Sequence, residues 1–461
     1  MESKKHRIFL AHNSCLNSAY DLNVLRAGLA GDEYEVVAQP EEADEVIFSG
    51  CSVRSKWVDD AINQINEIHA RAPGAGITVT GCVANVSAQA VRDRAVAPKL
   101  LFRTQADILR DRTGLDFEAV DRSVSQITSH DYESDPSSGL TQLRLRVGPE
   151  KAAVVAQLQK IDREFGTALA QRYQRETKGF VFYHEVETAE LITVTRSCMY
   201  LCSFCSIPKG RGPFASVPLE DILLKAHAAL ERGISRFILI GDEVGNYGAD
   251  RPGAKFPDLL RTLVALDPTV RISIRYVEPK PFVRNADLLR ELCAAGRIDL
   301  LYVSLQSGSS RILKAMNRGS IDAATQLYAA FRKETNVVFY GNWMVGFPGE
   351  TEEDFHSTIE LTKKLDLQIN VAIPFSSRPG TPAEHFAGQL DEATKTERVS
   401  RLTDVIAVIK MAQFHKHFSF LDDARRLPLL ELIRTAEARL YAEPTIVERP
   451  LTFHRRPQTS Q

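Results

Sequence analysis

The sequence predicts an α/β protein: an N-terminal open parallel α/β sheet domain, then a partial (β/α)6 barrel, then a helical C-terminal tail. Three observations predict it. Short apolar runs alternate with amphipathic stretches at helical spacing over residues 6–130 and again from residue 189, the pattern of parallel strands joined by crossover helices. Polar motifs containing Gly or Cys stand directly after the strand-like runs, where open α/β sheets and barrels carry ligands. Between the two alternating regions, residues 129–139 (SHDYESDPSSG) are polar and turn-rich and read as a linker. The organisation expected is 1–130, a linker with an inserted helical segment over 131–186, the barrel over 187–390, and a helical extension over 391–461.

Composition narrows the class. The chain has 461 residues, 44% hydrophobic and 25% charged, ordinary values for a globular protein with room for more than one domain. A net charge of −2 advertises neither nucleic acid nor an acidic membrane. No apolar run is long enough to cross a bilayer, and the N-terminal apolar run is too short for an export signal. Seven cysteines, an odd number, argue against a disulfide framework, so a reducing cytoplasm is expected.

In chain order, 7–11 (RIFLA) reads as a strand, 17–29 as a helix, and 34–37 and 45–49 (EVIFS) as strands. Val58, Ile62, Ile65 and Ile68 recur at helical spacing within 57–72; 76–80 (GITVT) is a strand and 100–102 a further one. Cys15 follows the first strand, Cys51 ends the third and Cys82 ends GITVT. Parallel strands present their C-terminal ends along one edge, so three sequence-distant thiols converge there. Singly, each would be a small buried hydrophobe; together they point to a second metal site.

Residues 149–177 carry Val154, Leu158, Ile161, Phe165, Leu169 and Tyr173 on one helical stripe and read as an amphipathic helix or helical pair. From residue 189, strands read at 191–195, 236–240, 271–277, 299–305, 337–345 and 368–374. Helices read at 219–231, 257–265, 287–295, 321–333 and 352–365, and again over 395–418. Thr351 precedes the fifth of the barrel helices with Asp354 three residues later, a capping box. Cys293 lies in an apolar helix stripe and reads as core.

The chemistry centres on 196–212, RSCMYLCSFCSIPKGRG, where Cys198, Cys202 and Cys205 stand as C-x3-C-x2-C. Random placement would give this pattern in about two chains per thousand, so the clustering needs a cause. Three adjacent thiolates suit zinc, Cu(I) or an iron–sulfur cluster. Structural zinc wants a fourth ligand, and none stands at a usual spacing nearby.

That motif, with Phe204 before its last Cys, resembles the radical S-adenosylmethionine (SAM) superfamily. The resemblance implies a TIM-like radical SAM barrel with a [4Fe–4S] cluster on Cys198, Cys202 and Cys205. Its open iron would chelate SAM and supply the electron that cleaves it. Further matches imply SAM contacts. Gly241, Asp242 and Glu243 occupy the place of the GGE-type motif, and Glu243 could pair with the SAM ammonium. Gln306 and Ser307 belong to the fourth-strand motif that runs on to Arg318. Phe347 lies in the Gly-Phe-Pro-Gly motif near the adenine, with Asn342 where an acid is expected before it. Arg378, in SSRPGTP, is expected to reach a substrate or SAM carboxylate, and Tyr200 is a further candidate cofactor contact.

A narrower resemblance, to the methylthiotransferases, is carried by 43–56 (ADEVIFSGCSVRSK), 81–84 (GCVA) and Ser14-Cys15-Leu16-Asn17-Ser18. It implies that Cys15, Cys51 and Cys82 hold an auxiliary [4Fe–4S] cluster that presents sulfur. Ser49-Gly50 departs from the Asn-Thr usual before the second Cys. Residues 421–461 are too short for the all-β RNA-binding domain of the tRNA-modifying members. The expected function is therefore radical SAM sulfur insertion on a small-molecule, nucleotide-like or peptide substrate in preference to tRNA. A flavodoxin- or ferredoxin-like one-electron reductant, no membrane partner and a monomeric state are expected. The alternatives are a tRNA or ribosomal-protein methylthiotransferase and a non-catalytic zinc-bearing interaction protein.

Overall fold

A computed structural model describes residues 5–123 and 189–417, apart from Ser14, Asp32 and Asn336, together with Ala424. The linker, the stripe over 149–177 and nearly all of the tail lie outside the described residues.

The N-terminal sheet is five-stranded and parallel. It comprises β1 (His6–His12), β2 (Tyr34–Val37), β3 (Glu45–Ser49), β4 (Gly76–Thr80) and β5 (Leu100–Phe102), in the order β2-β1-β3-β4-β5. Every residue of β3 is buried, as expected of a central parallel strand covered on both faces. On one face α2 (Ser55–Arg71) lays down Val58, Ile62, Ile65 and Ile68. On the other, α1 (Leu16–Gly28) packs Leu22 and Leu25 with Ile108 and Leu109. Short helices follow β4 and β5: α3 (Cys82–Val86), α4 (Ala88–Arg94), α5 (Gln105–Thr113) and α6 (Phe117–Ser123). None of these four is visible in the periodicity, because each is too short or too polar to show a stripe.

The second sheet has six parallel strands in the order β13-β12-β11-β10-β9-β6: β6 (Glu190–Thr193), β9 (Arg236–Ile240), β10 (Arg271–Val277), β11 (Ile298–Gln306), β12 (Val338–Val345) and β13 (Ile369–Pro374). The strand expected over 191–195 is split. Val194 leaves the sheet, and Thr195–Arg196 (β7) pairs antiparallel with Ala215–Ser216 (β8). The cysteine loop is thereby held across a hairpin. Helices cover the outside, among them Leu219–Glu231, Phe256–Ala265, Ala286–Ala294, Asp322–Glu334 and α14 (Glu352–Leu365), with Glu392–His417 closing the described chain. Cys293 is buried in that outer core. Among the described residues no helix is long and apolar enough to cross a membrane.

Candidate functional site

Strand register brings the N-terminal cysteines together. His12 pairs with Ser49 and Ser49 with Thr80, so β1, β3 and β4 end level. Cys15, Cys51 and Cys82 follow within three residues. Cys82 opens α3 and so points its loop back along the sheet edge. The loops are tied: Cys51 N donates to Asn13 Oδ1 (2.9 Å), Val83 N to Gly50 O (3.0 Å), and the hydroxyls of Ser52 and Ser87 lie 2.6 Å apart. Cys15 keeps solvent-accessible surface while the neighbouring protein desolvates its thiol. Burial raises the pKa of Cys15 and, more strongly, that of Cys82. Cys15 and Cys51 push Cys82 further, while Arg211 opposes the rise at Cys15 and Cys82.

The barrel triad is held as firmly. Ser197, in the left-handed region at φ 64°, donates its N–H to Asp242 Oδ2 (2.8 Å) and its hydroxyl to Gly212 O (2.6 Å). Each sulfur accepts one N–H at 3.5 Å: Cys198 from Tyr200 N, Cys202 from Arg318 Nη1 and Cys205 from Ile207 N. Ser203 binds the loop after β11 through Met316 O (3.0 Å) and Ala315 O (2.8 Å). Burial raises all three thiol pKa values, that of Cys205 to about 12. Cys205 adds to the rise at Cys198, and Cys202 to that at Cys205. Thiols this reluctant to ionise need a cation to become ligands, and a coordinating metal deprotonates them outright.

Among the described residues, no three His, Cys, Asp or Glu side chains close on a point that would grip a single metal ion. Three thiols at each place are the soft donor set that an iron–sulfur cluster takes.

The segments that follow the two triads meet between the two sheets. Ile207–Arg211, the short helix after Cys205, lies against α3. A Cβ added at Gly210 would fall 3.1 Å from Cys82 Sγ. Arg211 binds Asp21 (2.9 Å) on the N-terminal domain and Asp242 (2.7 Å) on the barrel, and Asn17 Nδ2 also reaches Asp242 (3.2 Å). Asn85 Nδ2 donates to Gly210 O (2.9 Å). Below these, Tyr20 packs on Leu191, Ile238 and Ile240, and its hydroxyl donates to Asp121 (2.7 Å). Asp121 also binds Arg196 (2.6 Å) and Lys225. Burial alone would raise the Asp121 pKa, but Lys225 and Arg196 outweigh it and hold it at about 2.

The other expected contacts divide. Gln306, at φ 70°, keeps Oε1 buried and without a hydrogen-bond partner among the described residues, and Asn342 Oδ1 on the next strand is in the same state. Two orphaned acceptors inside the barrel fit a ligand that donates, because each costs about 1–3 kcal/mol while unpaired. Gly241 lies where a Cβ would meet the Thr195 hydroxyl at 2.1 Å. Tyr200 accepts from Asn246 Nδ2 (3.0 Å), and Phe204 packs against the outer core.

Others have their side chains engaged elsewhere. The Glu243 carboxylate accepts from Gly245 N (3.0 Å), Asn246 N (2.9 Å) and Glu278 N (3.3 Å); burial raises its pKa to about 7. Asp242 is spent on Ser197, Asn17 and Arg211, Ser307 contacts Thr358, and Phe347 lies fully buried against Phe375 and Phe386. Arg318 reaches Cys202, Ser304 O (2.6 Å) and Glu278.

Sequence reasoning missed Arg211, Glu278 and a tyrosine series inside the barrel. Tyr302 stacks on Tyr340 at 3.9 Å and 4°, with Tyr276 4.7 Å from Tyr302. The signal available was period-2: Tyr302 and Tyr340 fall on the strand face opposite the residues of the outer core.

Comparison with known proteins accords with this arrangement. Residues 192–362 match the radical SAM superfamily, and residues 7–102 match a family described as uncharacterized protein family UPF0004. The chain is 26% identical over 406 residues to a tRNA-2-methylthio-N(6)-dimethylallyladenosine synthase of Vibrio vulnificus, covering 85% of this chain and 76% of the relative. It is 28% identical over 412 residues to the protein of that name from Ectopseudomonas mendocina, covering 86% and 81%. Among solved structures, the radical SAM methyltransferase TsrM from Kitasatospora setae, with cobalamin and a [4Fe–4S] cluster bound, superposes with a TM-score of 0.50. It is 16% identical and covers 83% of this chain and 77% of its own, a likeness of fold.

Both relatives are named for a tRNA substrate. That overturns the expectation of a small-molecule or peptide substrate in preference to tRNA. The expectation rested on the length and near-neutrality of the stretch after residue 420. Phosphate contacts can come from any basic surface, so tail length does not limit RNA binding.

Proposed function

We infer that this chain, which belongs to the methylthiotransferase-like proteins of the radical SAM superfamily, inserts sulfur into an adenosine carried in tRNA. It is an enzyme of the radical SAM sulfur-transferase type and uses SAM and two [4Fe–4S] clusters. The chemistry that the first cluster would supply when bound is one-electron reduction of the SAM sulfonium, to give a radical able to take hydrogen from the substrate carbon. Cys198, Cys202 and Cys205 hold that cluster; Cys15, Cys51 and Cys82 hold the one that presents sulfur.

The observation that supports this reading is the packing of the short helix after Cys205 on Cys82, which brings the loops of the two triads to one interface. The orphaned oxygens of Gln306 and Asn342 would accept hydrogen bonds from SAM when it is bound. The part-buried rings of Tyr276 and Tyr340, at the two ends of the tyrosine series, offer flat faces of the kind on which nucleobases stack.

The test is anaerobic incubation of the reconstituted chain with SAM, reductant and tRNA from a strain lacking the modification, followed by mass analysis of the nucleosides. A sulfur-bearing adenosine is expected from the native sequence. The Cys15/Cys51/Cys82→Ala variant should release 5′-deoxyadenosine without adding sulfur, and its iron should fall from about eight to about four per chain. Release of 5′-deoxyadenosine by the native chain with no sulfur on any nucleoside would reject the tRNA substrate.

A further inference from the structure

We propose that the outer face of the barrel cysteine loop, Met199 and Leu201 with Lys280, Arg284 and Lys314 around them, is the docking surface for an acidic one-electron carrier protein. The proposal rests on the two-cluster reading above and adds to it the surface through which the electron enters.

Between Ser197 and Ile207 the chain has no Asp, Glu, Lys or Arg. Two of its apolar side chains there face solvent. Leu201, at 75%, is the most exposed large apolar side chain of the described residues, and Met199 is 50% exposed. The loop is fixed in this attitude. Leu201 O accepts from Asn317 Nδ2 (2.7 Å), and Asn317 is itself held in the left-handed region at φ 56°. On the opposite flank Ser203 O accepts from Ala383 N (2.8 Å), in the loop after β13 where Arg378 is buried. Between Met199 and Leu201, Tyr200 is tied inward by Asn246. An apolar pair held rigidly outward, with Met among it, has the make-up of the centre of a protein interface.

The rim identifies the partner, because it is cationic. The short helices Pro279–Arg284 and Ser310–Ala315 bring Lys280, Arg284 and Lys314 to the surface beside the loop. Arg284 donates to Asn246 Oδ1 (3.0 Å), the residue that holds Tyr200. Lys314 O accepts from Asn317 N (3.0 Å), and a Cβ added at Gly319 would meet Lys280 Cε at 3.4 Å. The neighbouring charges cancel, Glu278 with Arg318 and Arg311 with Asp354. Lys280, Arg284 and Lys314 make no ion pair with a described residue, so this face stays positive on a chain whose net charge is −2. The face also leads to the triad. Leu201 is bonded to Cys202, and Arg318, next to Asn317, donates to Cys202 Sγ (3.5 Å). Transfer oxidises the carrier by one electron and reduces by one the cluster that Cys198, Cys202 and Cys205 would hold; no bond breaks and no proton moves. Phosphates would satisfy the cations and leave Leu201 and Met199 uncovered, whereas an acidic protein surface covers both.

The test follows electron transfer in the downhill direction, from the reconstituted full chain, reduced with dithionite and desalted, to oxidised flavodoxin. The flavin semiquinone absorbance reports the rate, without SAM, tRNA or turnover. The native rate is expected to fall as salt rises, since screening weakens the cationic rim. Leu201→Glu, and separately the double variant Lys280→Glu/Lys314→Glu, should each slow transfer about tenfold or more at low salt with iron content unchanged. Methyl viologen, a small oxidant that needs no docking face, should be reduced by both variants at the native rate or faster. Leu201→Met should transfer as the native chain does. The same losses are expected in a Cys15/Cys51/Cys82→Ala background, which confines the electron to the barrel triad. The proposal is overturned if neither variant slows transfer to flavodoxin, or if methyl viologen is slowed as much. Weakened tRNA affinity with transfer intact also overturns it, by giving the face to RNA. Should Leu201→Glu lose iron, the lysine pair decides on the same criteria. A chain with no dithionite-reducible cluster would sink the two-cluster reading and this proposal with it. A reducible cluster indifferent to these variants rejects the docking face alone, so the two failures are distinguishable.

Discussion

Arg318 shows how single side chains set the chemistry of the barrel triad. Its Nη1 lies 3.5 Å from Cys202 Sγ, and Glu278 holds it from the other side. Hydrogen bonds and positive charge at a ligating sulfur raise the potential of the cluster it holds. Arg318→Gln is therefore expected to lower the midpoint potential of the Cys198 cluster in an EPR-monitored redox titration. The unpaired Glu278 would push the same way, and an unchanged potential would mean that the Arg318–Cys202 bond does not persist in the loaded enzyme. Gly210 makes a steric counterpart. Gly210→Val would drive a branched side chain onto Cys82, whose sulfur already lies 3.1 Å from the position of a Cβ. Iron should drop toward half while the Cys198 cluster keeps its EPR signal. The cysteines of both triads could be read in the sequence because spacing and strand ends constrain them. Arg211 and Glu278 could not, since one charge in a loop carries no pattern until folding supplies its partner.

Among the elements, α14 was legible to its first residue. Thr351 Oγ1 accepts from Asp354 N (3.2 Å), and Asp354 Oδ2 accepts from Thr351 N (2.9 Å), as the Thr-x-x-Asp pattern implies. Asp354 also accepts from Ser309 Oγ (2.6 Å) and binds Arg311, which together hold its carboxyl well below the usual range despite its desolvation. The cap therefore ties the fourth-strand motif to the helix after β12. Thr351→Ala should cost about 1 kcal/mol, read as a lower urea midpoint, with iron content unchanged. A loss within ~0.2 kcal/mol would mean that Asp354 and its other donors hold the helix end without Thr351. The elements that escaped sequence reading are of another kind. Helix α3 spans five residues, less than two turns, so no periodicity exists to be seen. The break in the first barrel strand depends on Val194 bonding Ile240 O on one side while Val217 bonds Val194 O on the other, a non-local pairing that local sequence does not encode.

At the scale of the whole molecule, function depends on docking, because each triad belongs to a different sheet. The interface that aligns them is polar and buried. Tyr20, Arg196 and Lys225 converge on Asp121, whose folded pKa is about 2 against an ordinary 3.8. A carboxyl with a depressed folded pKa stabilises the docked state fully above the ordinary value, since the undocked state binds the proton more readily below it. That contribution fades as pH falls from about 4 toward 2. Small-angle scattering of the cluster-free chain should therefore show expansion in that window. Asp121→Asn removes the titrating group and leaves Arg196 and Lys225 without their charge partner. Breaking one side of a buried pair costs about 3–5 kcal/mol, so this variant should be expanded already at pH 7, and its dimensions should change less between pH 4 and 2. A native-like radius for Asp121→Asn at pH 7 would shift the weight of docking to Arg211, whose links to Asp21 and Asp242 are another charged span between the sheets. In that case Arg211→Gln, and not Asp121→Asn, would separate the triads and end sulfur transfer while SAM cleavage continued.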